Sequence, residues 1–314
     1  MPHSYTVPVQ MRRKNIFGVM ILFATLNSAA SLSAQSKTQS VHECEDGVKL
    51  RLSSPAGIQG SLLRFEIISG SPLTDLQAEW SGHPIPFWSS ASRQSIHQAL
   101  LGIDLELKPG PDPLSVSAHF PDGRKFVCTA NINIRAGRFV AEHLKVENQF
   151  VEVNPKDRER ADEEHKRLHE IFIHNTPERL WNGRFRVPLD GNHKGANFGR
   201  RRILNGHPSA PHTGVDFPAP SGTPVHASQR GRVVIAEPLF FSGNTVILDH
   251  GLGVYTFYGH LKSIDVAAGE MVEKGKILGL VGATGRVTGP HLHWGLTVNQ
   301  SRVNALQLLA LPAD

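Results

Sequence analysis

Thr284-Gly285-Arg286-Val287-Thr288-Gly289-Pro290-His291-Leu292-His293-Trp294-Gly295-Leu296-Thr297-Val298 is the stretch whose reading decides the fold. Its first half is turn chemistry, with Gly285, Gly289 and Pro290 as punctuation. Its second half is apolar and β-branched, the composition of a strand. In a strand, residues i and i+2 share a face. His291 and His293 therefore present both imidazoles to one site, while Leu292 faces a core. A strand that carries two histidines on one face needs partners for them. Two upstream pieces supply candidates.

The first is His212-Thr213-Gly214-Val215-Asp216, an i,i+4 pair that lies on one side of either a helix or a strand. Gly214, Phe217 and Pro218 argue against helix. The second is Tyr258-Gly259-His260-Leu261, at the end of an aromatic and β-branched run. Together the pieces offer four histidines and one aspartate, bracketed by glycines that let backbone approach a site closely. Imidazole with carboxylate favours a single zinc ion, and three protein ligands leave the fourth position to water, the pattern of a catalytic centre. The spacing HExxH is absent.

In their order along the chain, His212-x-x-x-Asp216, the Tyr258–Leu261 box and the Thr284–His293 run resemble the lysostaphin/LytM metalloendopeptidases, peptidase family M23. The resemblance covers about residues 185–305 and includes Phe198-Gly199-Arg200-Arg201-Arg202 and Gly222-Thr223-Pro224-Val225. It implies that His212, Asp216 and His293 are the zinc ligands and that His260 and His291 are the unliganded catalytic pair. It further implies hydrolysis of peptide cross-links of bacterial peptidoglycan on a compact antiparallel β scaffold. His291 would move the proton of the attacking water and His260 would stabilise charge on the carbonyl oxygen, with Tyr255 or Tyr258 as lesser candidates for that bond; the two histidines are interchangeable at this stage. Some latent members place an upstream Asn in the fourth zinc position, for which Asn197 and Asn205 are the counterparts. Degenerate relatives lose ligands and bind the wall or activate amidases without hydrolysis, whereas this chain keeps all five positions. The segment Val266–Gly279 is similar to half of a lipoyl or biotinyl domain, but Lys262 and Lys274 lack the setting of a modified lysine, so it reads as ordinary β-hairpin.

The rest of the chain organises around that domain. With 314 residues, 39% hydrophobic and 19% charged, it suits two domains of modest size, and 29 Gly and 21 Pro favour strands and turns over bundles. The fold class expected is mainly β. Arg12-Arg13-Lys14, the apolar run Ile16–Leu26 and the small residues up to Ala34 read as an export signal over 1–34, so a periplasmic or extracellular setting without a stable membrane span is expected. Those three cations account for more than half of the formal charge of +5, which leaves too little for nucleic-acid binding. Residues 41–135 read as a β-sandwich, immunoglobulin-like, with strands Val48–Leu52, Leu62–Ile68, Ile103–Leu107, Leu114–Phe120 and Phe126–Ile134. Cys44 and Cys128, an even pair in an exported chain, predict one disulfide inside it. Residues 136–182 form a linker whose charged stretch, opened by Asn154-Pro155, predicts a solvated helix with His165, His169 and His174 on its surface. Residues 183–314 form the peptidase-like domain, with strands Arg232–Ala236, Asn244–Asp249, Val254–Tyr258, Ile277–Val281 and His291–Val298. The N-terminal domain is expected to regulate the site, by autoinhibition or docking.

Overall fold

Strict alternation organises the N-terminal half. In Lys125–Arg135 every second residue is buried, so Phe126, Cys128, Ala130, Ile132 and Ile134 point inward and the residues between them point out. The computed structural model describes residues 39–90, 93–144, 154–191, 194–208 and 210–312; the leader read over 1–34 lies outside them. Two five-stranded sheets pack here. One runs Ser40–Glu43, Lys49–Leu52, Leu62–Ile68, Arg93–Gly102, Trp88–Ser90; the other runs Ala56–Ile58, Lys125–Arg135, Gly110–His119, Thr74–Trp80, His83–Pro84. Their facing apolar side chains, among them Phe65, Ile67, Leu101, Val116 and Phe126, form one core. The Cys44–Cys128 disulfide, whose ends are 84 positions apart in sequence, ties the first sheet to the second.

Two expectations for this half change. Ile103–Leu107 alternates but forms no ladder: Ile103 and Leu105 are buried while Asp104 reaches Arg302 of the C-terminal half, and that pairing gives the same periodicity as a strand. Thr74–Trp80 is a strand although it reads as polar, because only Leu76, Ala78 and Trp80 of it face the core, and Leu76 is only partly buried.

The C-terminal half is built on an antiparallel sheet in the order Gly214–Pro218, His291–Val298, Val254–Ile264, Gly243–Asp249, Gly231–Leu239, Met271–Val272, with Pro224–His226, Ile277–Val281 and Ser301–Val303 attached at its margins, and Arg201–Leu204 and His207–Pro208 form a small separate sheet with Ala141–Leu144. One face buries Val215, Phe217, Tyr258, Leu292 and Trp294 in a large core. The opposite face is shared between two features. At one end, Ile235, Ile247 and Tyr255 are covered by Leu168, Ile171 and Phe172 of the helix Pro155–Ile173. At the other stand the histidines. Asn154 caps that helix by accepting the Asp157 N–H, with Pro155 in its first turn. The helix therefore differs from the solvated linker expected of its charge: one apolar stripe docks and the charged sides stay wet. Glu164 accepts the Phe240 N–H at 2.7 Å and Tyr255 donates to the His174 carbonyl, which fixes the helix at its middle and at its C-terminal end.

The two halves share a seam. Leu100, Leu62 and Trp88 of the sandwich join the C-terminal core. Asp104 takes Arg302 in two side-chain bonds of 2.7 and 3.0 Å, the Leu62 N–H donates to Gln307, and Asn299 donates to the Leu100 carbonyl. Among the described residues no helix is long and apolar enough to cross a membrane.

Candidate metal and catalytic site

Strand register builds the site. Asp216 lies opposite His293, and Pro218 opposite His291, on adjacent antiparallel strands. Cross-strand partners share a face, so the Asp216 carboxylate meets both imidazoles of the His-x-His pair. His212, four residues before Asp216, closes the group. His212 Nε2, His293 Nδ1 and Asp216 Oδ1 form a triangle with edges of 3.0, 3.1 and 3.1 Å. Gly214 makes the closure feasible, since a Cβ there would stand 2.5 Å from His293 Nε2.

The protons do not satisfy this triangle. His212 Nδ1 lies 3.0 Å from the Asn197 carbonyl, which fixes its proton there and leaves a lone pair at Nε2. Burial would raise the Asp216 carboxyl, but the His212 and His293 rings beside it outweigh that and hold the group well below the usual carboxylate range. Burial pushes the His293 imidazole down, so it is neutral near pH 7. Three electron-rich atoms thus converge with at most one proton among them. Tetrahedral zinc with bonds of ~2.0–2.1 Å separates its ligand atoms by about 3.3 Å, within a few tenths of an ångström of the edges seen. The residues fit zinc. Among the described residues the other cluster of comparable composition contains Cys44 and Cys128, whose sulfurs are committed to the disulfide.

The two remaining histidines point at the same place. His291 Nδ1 is held by the Gly289 carbonyl at 2.9 Å, and its Nε2 lies 3.6 Å from Asp216 Oδ1. His260 Nδ1 is held by the Thr284 carbonyl at 3.0 Å, and its ring centroid is 4.8 Å from that of His291. In both rings Nε2 is the free nitrogen. Alternation would send His260 to the core face with Tyr258. A bulge between Gly259 and Leu261, where the register against Gly243–Asp249 shifts, turns it the other way. His260 has φ of 63°, and its N–H donates to the Ser242 carbonyl at 2.7 Å. A left-handed residue other than glycine at a reacting centre stores strain that the surroundings hold in place. Burial, with His293 beside it, pushes the His260 imidazole down to about 4.

Neither tyrosine considered for the carbonyl oxygen reaches it. Tyr258 points into the core, where its hydroxyl accepts the Ser228 N–H, and the Tyr255 hydroxyl is engaged by His174. Asn197 lies at the site and Asn205 does not: the Asn197 amide donates to Asp216 Oδ2 at 3.3 Å, while Asn205 sits in the turn after Arg201–Leu204. His226 and His250 are tied to the Gly275 and Arg230 carbonyls, and His165, His169 and His174 are exposed. His193 and the His207 side chain lie outside the described residues. Trp294 is fully buried behind the ligand strand, against Phe217. Nothing in the sequence signals the Thr284 and Gly289 carbonyls that orient the rings, or the Ser242 carbonyl that holds the His260 backbone, because main-chain acceptors leave no mark in residue type.

Comparisons with known proteins point to one peptidase family. The sequence profile described as Peptidase family M23 matches residues 210–305. Peptidoglycan DD-endopeptidase ShyA of Vibrio cholerae is 44% identical over 127 residues, 39% of this chain and 29% of its own length. DD-carboxypeptidase/endopeptidase Mpg of Neisseria meningitidis is 45% identical over 101 residues, 32% of this chain and 23% of its own length. The chain therefore spans less than a third of the length of these curated relatives. A crystal structure from Pseudomonas aeruginosa, provisionally assigned to peptidase M23, superposes with a TM-score of 0.61 at 28% identity, over 80% of this chain and 94% of that one.

Proposed function

The C-terminal domain of this chain belongs to peptidase family M23, and on that premise we propose that the protein is a zinc-dependent endopeptidase that hydrolyses D,D peptide cross-links of bacterial peptidoglycan. The observation that carries the reading is the proton-poor triangle of His212, Asp216 and His293 with two more imidazoles aimed at it. The names of ShyA and Mpg supply the substrate class. His212, Asp216 and His293 would hold one zinc ion. The ion, when bound, lowers the pKa of water and polarises the scissile carbonyl.

The chain's own residues handle the protons. His291 Nε2, with Nδ1–H held by Gly289, starts as an acceptor and takes a proton from the attacking water, then returns it to the leaving amine. His260 is kept neutral by burial, so its Nε2 does not hold a proton in the resting state. As negative charge grows on the carbonyl oxygen the ring's proton affinity rises, so His260 Nε2 would take up a proton from solvent, donate it in a hydrogen bond to that oxygen, and release it to solvent when the tetrahedral species collapses. This is stabilisation of the transition state rather than of the substrate. Export to the wall is part of the same proposal: the signal read over 1–34 would direct it, and the Cys44–Cys128 disulfide suits an oxidising compartment. Retention of all five side chains speaks for turnover over passive wall binding.

Purified protein is expected to carry close to one zinc and to convert cross-linked muropeptide dimers to monomers. His291→Ala should lose at least about 100-fold in rate while retaining metal and fold. Asp216→Ala should lose the metal as well. A folded, zinc-loaded His291→Ala protein that cleaves at the normal rate refutes the assignment.

A further inference from the structure

Beyond the triangle itself, His212 is held by a loop, and that loop is held by the other half of the molecule. Residues 196–200 run beside the ligand strand. Ala196 pairs with Asp216 through bonds of 3.1 and 2.9 Å, the Gly199 N–H donates to the His212 carbonyl at 2.8 Å, and the His212 N–H donates to the Arg200 carbonyl at 3.0 Å. Asn197 adds its carbonyl to His212 Nδ1 and its amide to Asp216. The orientation of two of the three candidate ligands is thus set from this loop.

The opposite side of the loop rests on the arm that leaves the sandwich. The Phe139 ring lies under Gly199, where a Cβ would meet ring atoms at 2.1 Å, and it meets Phe198 edge-on with centroids 6.2 Å apart. Gly199 has φ of 73°, so the loop has both the turn and the space that the ring requires. The Arg201 N–H donates to the Val140 carbonyl at 2.9 Å, and Ala141–Leu144 continues as a parallel strand beside Arg201–Leu204. The arm is anchored in turn, because the Gly137 N–H donates to Gln59, whose amide donates to the Leu107 carbonyl at 2.8 Å. Phe198 also fills the space above Gly60 of the sandwich.

We infer that Phe139 and Val140 are positioning residues for the metal site: they clamp loop 196–201 onto His212 and Asp216, so zinc affinity depends on the arm of the N-terminal half. The inference rests on the metal-site reading above. It makes the sandwich a structural part of the centre. Cutting back the Phe139 ring frees the loop to move away from the ligand strand, and His212 then loses the carbonyl that selects its tautomer.

The test uses the full chain with Phe139→Ala and Phe139→Leu. Zinc dissociation constants come from competition with a chromogenic chelator, the visible spectrum of the Co²⁺-loaded protein reports ligand geometry, and amide hydrogen exchange reports the loop. Phe139→Ala should weaken zinc about tenfold, in line with loss of an outer-shell partner. It should also change the Co²⁺ spectrum and speed exchange at the His212 and Arg201 amides, while amides of Lys125–Arg135 stay protected. Phe139→Leu, which keeps an apolar side chain but not the ring edge, should weaken zinc less, by about threefold, in the same currency. A folded Phe139→Ala protein with zinc affinity and Co²⁺ spectrum unchanged overturns the clamp. If the alanine variant does not fold, unchanged affinity and unchanged His212 exchange in Phe139→Leu overturn it equally. Wild-type protein that binds no zinc refutes the metal-site reading and the clamp with it; wild-type binding with unaffected variants refutes the clamp alone.

Discussion

His250 has nothing to do with the triangle and yet contributes to how the molecule responds to acid. It is fully buried, with Nδ1 2.7 Å from the Arg230 carbonyl and Nε2 2.7 Å from the Thr256 hydroxyl, and burial pushes its pKa from 6.5 down to about 4. Between those values the unfolded chain binds a proton that the folded chain does not. Stability from this group is therefore complete above about pH 6.5 and falls as the pH drops towards about 4, by about 3 kcal/mol if it acts alone. Urea denaturation at pH 7 and pH 5 should show a steeper loss for wild type than for His250→Asn, although the variant starts less stable. Equal losses would remove His250 from the acid response. At this scale the sequence was informative wherever side-chain chemistry repeats at short spacing. His212, Asp216, His291 and His293 could be gathered from i,i+4 and i,i+2 relations. His260 could not be placed by alternation, because a bulge reverses its direction and nothing in Tyr258-Gly259-His260-Leu261 except the glycine hints at one.

Among the elements, the helix Pro155–Ile173 departs most from its sequence. Its density of charge, with Lys156, Arg158, Glu159, Arg160 and their neighbours, outweighs the three apolar residues that dock. Those three lie near its C-terminal end, on the same sheet face as the histidines. Phe172 meets Tyr255 edge-on at 5.3 Å. Phe172→Ala should therefore cost about 2 kcal/mol, below the usual figure for a fully buried Phe because the ring is only half covered. Thermal or urea unfolding measures it. A change inside ±0.5 kcal/mol would mean that the helix is as free as its charge suggests. The strands were legible in proportion to their burial pattern. Ile277–Val281 and His291–Val298 match the expected limits, and Lys125–Arg135 alternates without a break. Thr74–Trp80 was hidden because its contribution to the core is confined to Leu76, Ala78 and Trp80 at one end, and Ile103–Leu107 misled because tertiary pairing with Arg302 imitates a period of two.

For the molecule as a whole, the seam between the halves predicts joint unfolding. Leu100 contributes to the C-terminal core, Asn299 donates to its carbonyl in a buried position, and Asp104 grips Arg302. Calorimetry should show one transition for the wild-type chain, with Asp104→Ala separating it into two. Two transitions in the wild type would mean that the seam is too weak to couple the cores. That coupling was not legible, since the residues that meet stand about two hundred positions apart and neither stretch carries a motif.

The same spacing has a consequence for biosynthesis. Asn299, Arg302 and Gln307 emerge from the ribosome long after Leu100, Asp104 and Leu62, their partners across the seam. At ~5–20 residues per second the flank of the sandwich waits on the order of ten to forty seconds for its cover. During that interval Leu62 and Leu100 lack their C-terminal neighbours, and a nascent chain would offer this flank to any holdase that samples it.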